Sequence, residues 1–165
     1  MMAANTPPVA EVRLRDTVDA DLPVFFAQHQ DEGALQMAAF TPPDPTDETA
    51  LIAHWQKLIR DPAVVLNTIL ADDRIAGSLV FFEMFDQQQV GYFLGREFWG
   101  RGVATRALTL FLSLIPVRPL YARTAFDNLG SQRVLAKCGF VEIGRDTSYA
   151  NARGAEIEEI IFRLV

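Results

Sequence analysis

The sequence predicts a mixed α/β fold, with a mostly antiparallel sheet of about seven strands and about four flanking helices. Segments rich in β-branched and aromatic residues alternate with segments whose apolar residues recur at helical spacing. Three consecutive strand candidates are joined by short turns, which indicates antiparallel neighbours. The chain has 165 residues, of which 50% are hydrophobic, and this is enough for one core. We therefore expect a single domain that spans residues 1–165.

The first third of the chain contains one short strand and two helices. Alternating residues over Val12–Arg15 predict the strand. Apolar residues at helical spacing predict helices over Asp19–His29 and Asp47–Arg60, and Asp61-Pro62 ends the second. The segment "GALQMAAFTPPDP", residues 33–45, is expected to form the loop between them.

Strands dominate the middle of the chain. β-Branched and aromatic residues predict strands over Ala63–Ala71, Arg74–Phe85 and Gln89–Gly95. The turn sequences Asp72-Asp73 and "DQQQ" separate them. This arrangement predicts an antiparallel meander.

Helices and strands alternate in the remaining part. An amphipathic helix is predicted from about Arg101 to Leu114, a strand over Pro119–Phe126 and a helix over Asn128–Cys138. The last two strands, 140–150 and 156–165, are expected to form a hairpin around the turn "NARG".

Composition argues against several classes of protein. The net charge of −6 is unlike that of nucleic-acid-binding proteins, and the longest apolar run, Ala107–Val117, is about half of what a bilayer requires. The start of the chain lacks the basic and apolar regions of a signal peptide. A single cysteine, Cys138, excludes an internal disulfide and suits a reducing cytoplasm, where we expect the protein. His29 and His54 are too few for a metal site, and both are expected on helix surfaces.

A glycine-rich segment, "GREFWGRG" at residues 95–102, lies between a predicted strand and a predicted helix. Such a turn exposes main-chain N–H groups at the positive end of the helix dipole, where an anion is favoured. Gly100 and Gly102 permit close approach of a pyrophosphate, and Arg96, Arg101 and Arg106 add positive charge. The alternative is an ordinary strand-to-helix turn with solvated arginines.

Two common phosphate-binding motifs do not fit this segment. A P-loop requires Lys followed by Ser or Thr, whereas this chain has Arg101 followed by Gly102. The dinucleotide fingerprint requires a third glycine, where this chain has Thr105, and an acidic residue about twenty positions later. The region near Leu120 and Tyr121 contains no such acid.

The stretch Val90–Leu108 resembles the central motif of the GNAT superfamily of acyl-CoA N-acyltransferases. In that family a Gln/Arg-x-x-Gly-x-Gly/Ala loop holds the pyrophosphate of coenzyme A through main-chain amides and needs no metal. The glycines correspond to Gly100 and Gly102, while Glu97 occupies the Gln/Arg position and departs from the pattern.

Two further segments extend the resemblance over nearly the whole chain. Asp127–Arg145 is similar to the closing element of the family, an Asn-x-x-Ser/Ala helix that ends in Lys-x-Gly-Phe before a strand, and Val12–Gln28 resembles its opening strand and helix. Trp99 and Ser131 favour the Rim-type branch, which includes acetyltransferases of ribosomal-protein N-termini and of small amines.

The resemblance implies a GNAT-like sheet whose two central strands diverge, with acetyl-CoA as acyl donor between them. A main-chain N–H near Phe93 or Leu94 would then polarise the thioester carbonyl. The cofactor-binding residues implied by the match are Tyr92, Phe93, Leu94, Arg96, Trp99, Gly100, Arg101, Gly102, Val103, Ala104, Thr105 and Asn128.

The catalytic residues implied by the resemblance depart from the usual pattern. The common glutamate base corresponds to Gln89, so Glu83 is the candidate, with Glu97 as a second choice. The common tyrosine acid corresponds to Leu135, so the Rim-type serine, Ser131, is the candidate acid. The alternatives are an exposed strand carboxylate for Glu83 and a helix first-turn serine for Ser131.

The resemblance implies direct transfer of an acetyl group to a primary amine, without a covalent enzyme intermediate. A protein N-terminus, a polyamine, an aminoglycoside and an amino acid all remain open as acceptors. Met37, Phe40 and Trp55 are candidates for an apolar acceptor wall. The alternative function is an acyl-CoA-binding sensor that has lost catalysis. A homodimer is also possible, while nucleic acid and membranes are not expected as partners.

Overall fold

The computed structural model describes residues 8–165 and contains five α-helices and a seven-stranded sheet. The helices are α1 (Leu22–Gln28), α2 (Glu32–Ala38), α3 (Glu48–Arg60), α4 (Val103–Leu114) and α5 (Leu129–Lys137). The strands are β1 (Val12–Asp16), β2 (Val65–Ala71), β3 (Arg74–Met84), β4 (Gln87–Leu94), β5 (Leu120–Ala125), β6 (Val141–Ala150) and β7 (Ala155–Leu164). Single 3-10 turns cover Asp19–Asp21 and Arg96–Phe98.

The sheet has the order β1-β2-β3-β4-β5-β7-β6, and every neighbouring pair is antiparallel except β4 and β5. The parallel pair β4 and β5 shares a single register position, Gln89 opposite Tyr121. Beyond this position the two strands diverge. The mixed fold, the antiparallel meander and the divergent central strands predicted from the sequence are therefore confirmed.

Helices cover both faces of the sheet. On one face, α4 buries Val103, Ala107, Leu108 and Phe111 against the central strands, and α5 adds Leu135. On the other face, α1 and α3 form a separate cluster, which includes Leu22, Phe25, Leu51 and Trp55. Burial of these large apolar side chains provides most of the driving force for folding.

The structure has one helix beyond the about four expected, because α2 forms over Glu32–Ala38, mostly within the segment predicted to be a loop. The Asp31 side chain accepts a hydrogen bond from the Ala34 N–H at 3.1 Å and caps α2. Contacts with the distant β6–β7 turn then hold the helix: Gln36 Nε2 donates to the Ala152 carbonyl at 2.9 Å, and Arg153 Nε donates to the Gln36 carbonyl at 2.7 Å. The helix is therefore stabilised by tertiary contacts.

No helix within residues 8–165 is long and apolar enough to span a membrane. No group of three or more metal-ligating side chains converges in the same range. The expectation that the chain starts without a signal peptide falls partly on residues 1–7, which lie outside the described residues.

Candidate functional site

A cavity of about 690 Å³ opens where β4 and β5 diverge. Its walls come from the end of β4, the glycine-rich turn, the start of α4, one side of α5 and part of α2. A groove formed by the end of β4 and the adjoining helices can hold an extended ligand, with the unpaired edge of β4 beside it.

The cavity brings together most of the residues that the sequence predicts for the site. The predicted residues that line it are Tyr92, Phe93, Leu94, Trp99, Gly100, Gly102, Val103, Ala104, Thr105, Asn128 and Ser131. Arg96, Arg101 and Glu83 are absent from its walls. The binding role of each residue stays a prediction.

The start of α4 forms an open anion site at one end of the cavity. Side chains of Asp31, Asp47 and Asn128 cap α2, α3 and α5, whereas α1 and α4 have no side-chain cap among the described residues, and of these two only α4 starts at the cavity. The first N–H groups of α4 therefore remain available to a ligand.

Two glycines with open space around them lie directly before α4 in the chain. Gly100 and Gly102 have φ angles of 69° and 74°, which side-chain-bearing residues rarely adopt. A Cβ atom built on either glycine meets no other atom within 4 Å. The turn thus combines left-handed backbone with open space, which suits close approach of a phosphate group.

The three arginines near the turn differ in their roles. Arg96 binds Asp31 in a bidentate ion pair outside the cavity. Arg106 donates to the carbonyls of Val9 and Ala10, at 2.8 and 3.0 Å, and thereby holds the segment that leads into β1. The Arg101 guanidinium lies 6.0 Å from the centre of the Phe98 ring.

Arg133 and Lys137 on α5 line the cavity and were not assigned a role from the sequence. Their four-residue spacing places both side chains on one face of the helix. The sequence therefore contains a signal for these two residues, namely their spacing on one helix face. The same face carries Gly130 and Val134, which also line the cavity. These two cations add to the positive potential that favours an anionic ligand.

Asn128 joins two walls of the cavity. Its Oδ1 accepts a hydrogen bond from the Ser131 N–H at 3.1 Å and caps α5. Its Nδ2 donates to the Met37 carbonyl of α2 at 3.2 Å. One side chain thus fixes the α5 start and positions α2 across from it.

A hydroxyl pair lies on the α5 side of β4. The hydroxyl oxygens of Tyr92 and Ser131 are 2.8 Å apart, and both residues line the cavity. Burial raises the pKa of Tyr92 above its ordinary value, so the phenol stays protonated at neutral pH. The sequence suggested an acid role for Ser131 but gave no reason to pair it with Tyr92.

The family position of the base, Gln89, and both candidate bases lie outside the cavity wall. The second candidate, Glu97, accepts a hydrogen bond from Arg74 Nη2 at 2.8 Å. Gln89 is 1% exposed, and its Nε2 lies 3.4 Å from the Met84 carbonyl. Glu83 is exposed on β3 opposite Gln88 and does not reach the cavity walls. The base role of Glu83 stays a prediction, and its position gives it no direct contact with the cavity.

His29 is half-buried, contrary to the surface position expected for it. Its ring stacks on Phe93 with 3.8 Å between ring centroids and meets Trp55 edge-on at 5.2 Å. Its Nδ1 lies 2.8 Å from the Phe25 carbonyl, which fixes the proton on Nδ1 in the neutral ring. Burial lowers the pKa of His29 and outweighs the opposing effect of this hydrogen bond.

Of the three residues predicted for the apolar acceptor wall, only Met37 lines the cavity. Met37 lines the cavity, together with Ala34 and Ala38 of α2. Trp55 instead packs in the α1–α3 core, and Phe40 is 36% exposed outside the cavity.

Comparison with known proteins gives one family and several structural relatives. The family model described as the acetyltransferase (GNAT) domain matches residues 11–141. No curated protein sequence matches the chain significantly.

The solved structures of similar fold include several acetyltransferases. RimL, a ribosomal-protein alpha-N-acetyltransferase solved with coenzyme A, has a TM-score of 0.83 at 19% identity, with 96% of each chain covered. The spermidine N-acetyltransferase from Vibrio cholerae, solved with coenzyme A and spermine, has a TM-score of 0.79 at 17% identity and covers 93% of this chain and 94% of that one. RimJ from Mycobacterium smegmatis has a TM-score of 0.78 at 20% identity and covers 95% and 83%, respectively. At these identities the comparison with solved structures shows similarity of fold alone.

Proposed function

The chain belongs to the acetyltransferase (GNAT) family, and from this premise we propose that it transfers the acetyl group of acetyl-CoA to a primary amine by direct attack. The family match confirms the enzyme class and the acyl donor that the sequence motifs predict. We further propose that residues 1–165 form a single N-acetyltransferase domain. The single cysteine of the chain supports a cytoplasmic location.

The observation that carries the proposal is the uncapped start of α4, which opens into the cavity between the diverging strands. Acetyl-CoA supplies an activated thioester and a diphosphate. The N–H groups of Gly102–Thr105 would bind the diphosphate, while Arg133 and Lys137 would add positive charge on the α5 side. This arrangement needs no metal ion.

The end of β4 would align the thioester. Because β4 pairs with β5 at Gln89 alone, the main-chain groups of Tyr92–Leu94 on that edge lack a strand partner. An N–H group near Phe93 or Leu94 would stabilise the oxyanion that forms during attack. Trp99 supports this geometry, because its Nε1 donates to the Leu94 carbonyl at 2.8 Å.

Two proton transfers complete the proposed reaction. Ser131 would act as the acid toward the departing sulfur from its position in the cavity wall. Glu83 would act as the base through water, since its position on β3 allows no direct contact. The amine nitrogen attacks the carbonyl carbon, the carbon–sulfur bond breaks, and the amine loses two protons, one to the thiol and one to solvent.

We propose that the acceptor is a protein N-terminus or a small amine. RimL and the Vibrio cholerae enzyme act on acceptors of these two kinds, and both share the fold. The edge strand β6 carries exposed Val141, Ile143 and Tyr149, which supports a homodimer formed through that edge. Analytical ultracentrifugation tests the dimer, and a monomer at all concentrations contradicts it.

The decisive experiment follows thiol release from acetyl-CoA with a panel of peptides, polyamines, aminoglycosides and amino acids. N-acetylated versions of the same compounds are matched controls without a free amine. We expect turnover with at least one free amine and none with its acetylated form. S131A should lower kcat by on the order of a hundredfold. E83Q should do the same if Glu83 is the base, whereas E156Q, which alters an exposed strand glutamate of β7, should not.

One observation favours a second function. Gln89 cannot accept a proton, and Glu83 lies outside the cavity, so the base is less well defined than the anion site. An acyl-CoA-binding sensor would bind acetyl-CoA tightly and release no thiol with any amine. Calorimetry combined with the acceptor panel separates these two functions, and an absence of acetyl-CoA binding contradicts both.

A further inference from the structure

We propose that Tyr92 orients and polarises Ser131 as the inner member of a two-hydroxyl relay that delivers a proton to the departing sulfur. This inference rests on the proposed acetyltransferase function and adds a positioning residue to it. Tyr92 was expected only to flank the cofactor. The relay also offers a physical reason why the chain can have Leu135 at the position of the common tyrosine acid.

The first argument is geometric. The Tyr92 and Ser131 hydroxyl oxygens are 2.8 Å apart, the usual distance for a hydrogen bond between hydroxyls. Tyr92 belongs to β4 and Ser131 to the first turn of α5, so the bond joins the strand and the helix that flank the cavity. The Ser131 main chain is held by Asn128, which limits where its hydroxyl can lie.

The second argument concerns the direction of the hydrogen bond. A phenol is a stronger acid than an alkyl alcohol and is therefore the better donor of the two. With Tyr92 as donor, the Ser131 oxygen accepts, and the Ser131 O–H can point into the cavity. Donation from Tyr92 also strengthens Ser131 as a donor, because hydrogen bonds in a chain polarise one another.

The third argument is that Tyr92 stays protonated. The phenol packs against the main core and is partly buried, and this burial raises its pKa. Its hydroxyl has one hydrogen-bond partner within the described part of the chain, the Ser131 Oγ. Tyr92 can therefore act as a donor over the whole neutral pH range.

The proposed step balances in atoms and charge. When the carbon–sulfur bond breaks, its electron pair stays on sulfur, and the sulfur takes the proton of the Ser131 hydroxyl. Tyr92 keeps its own proton and continues to donate to the Ser131 oxygen, while Ser131 regains a proton that the amine has released to solvent. No oxidant, reductant or additional reactant is needed.

The kinetic test compares Y92F with Y121F, which removes the hydroxyl of a tyrosine on β5 that does not line the cavity. We expect Y92F to lower kcat roughly tenfold, the equivalent of one net hydrogen bond, with an unchanged KM for acetyl-CoA. Y121F should leave both constants unchanged. In an S131A background Y92F should have no further effect, whereas in S131T, which keeps a hydroxyl, the tenfold loss should persist.

A binding test decides the relay independently of turnover. In the complex with free coenzyme A, the ultraviolet absorbance of the thiolate reports the pKa of the bound thiol. We expect the wild-type protein to lower this pKa relative to free coenzyme A, and both Y92F and S131A to reverse the shift. An unshifted wild-type thiol, or equal pKa values in wild type and Y92F, overturns the relay. A shifted thiol without amine turnover contradicts the proposed function and leaves the relay intact.

Discussion

Arg96 and Asp31 form a bidentate ion pair that joins the glycine-rich turn to the start of α2. Arg96 Nε lies 2.6 Å from Asp31 Oδ2, and Arg96 Nη2 lies 2.7 Å from Asp31 Oδ1. Asp31 also caps α2, which contributes Ala34, Met37 and Ala38 to the cavity wall. The pair therefore connects Arg96 to α2, and the cofactor-binding role that the sequence motif predicts for Arg96 stays a prediction.

Variants of this pair distinguish the two roles of Arg96. If Arg96 positions α2, then D31N and R96Q should each weaken acetyl-CoA binding a few-fold, and the double variant should be no weaker than either. If Arg96 instead binds phosphate directly, D31N should leave affinity unchanged or increase it, while R96Q alone weakens binding. Calorimetric Kd values at one salt concentration separate these outcomes.

The same ion pair predicts a pH dependence. Hydrogen bonds from the Arg96 guanidinium, and secondarily from the Ala34 N–H, lower the pKa of Asp31 from its ordinary value of 3.8 to about 2. Because the folded value is lower, the contribution of the pair to stability is present above pH 3.8 and is lost as the pH falls toward 2. Denaturation curves of the wild-type protein and D31N should therefore differ above pH 3.8 and converge below it. If the difference in stability between the wild-type protein and D31N stays constant through this pH range, the lowered pKa of Asp31 is contradicted.

Much of the fold could be predicted because its elements carry strong local signals. The strand pattern of β2, β3 and β4 and the apolar spacing of α3 and α4 give bounds close to those observed. The exception is α2, whose segment contains Gly33, a poor helix former. A Cβ at Gly33 would lie 1.5 Å from Arg96 Nη2, so the glycine makes room for the ion pair. The need for a glycine at position 33 is therefore visible only in the folded structure, where Arg96 lies beside it.

The parts of the site that depend on the course of the backbone could be predicted from the sequence. The parts that depend on where side chains point were harder to predict. The anion site follows from the order of strand, glycine turn and helix, which is fixed locally. The residues Tyr92 and Ser131 are separated by 39 positions, so their contact depends on how α5 packs against β4. His29 was assigned to a surface because its helix pattern does not reveal the aromatic rings that enclose it.

G102A should weaken acetyl-CoA binding, because a methyl group enters the space in front of the α4 N–H groups. Gly102 has a φ of 74°, so the alanine should also cost about 1–2 kcal/mol of stability. G154A is the matched control, since Gly154 has a φ of 62° and open space but lies in the β6–β7 turn. Both variants should lose similar stability in denaturation curves. Equal loss of acetyl-CoA affinity in both contradicts the anion site.

N128A should affect both stability and the cavity. Loss of the α5 cap should cost about 1 kcal/mol, and loss of the bond to the Met37 carbonyl should release α2 from α5. D47A, which removes the cap of α3 far from the cavity walls, should cost similar stability without changing acetyl-CoA affinity. N128S keeps a capping oxygen, loses the amide donor and adds no charge, so it isolates the α2 contact. An N128S variant with wild-type affinity shows that this contact does not matter for binding.

H29Q should change how stability depends on pH near neutrality. The ring of His29 lies between Phe93 and Trp55, and burial lowers its pKa below the ordinary value of 6.5. Below pH 6.5 the unfolded chain therefore binds more protons at this position than the folded chain does. The contribution of neutral His29 is fully present above pH 6.5 and is lost as the pH falls toward the folded pKa.

Urea denaturation of the wild-type protein and H29Q at several pH values below and above 6.5 tests this sign. The wild-type free energy of unfolding should fall with decreasing pH, and H29Q should show a smaller slope because glutamine does not titrate. H54Q is the matched control, since it makes the same replacement at an exposed position of α3. If H54Q removes the slope and H29Q preserves it, the enclosed ring of His29 is not the titrating group.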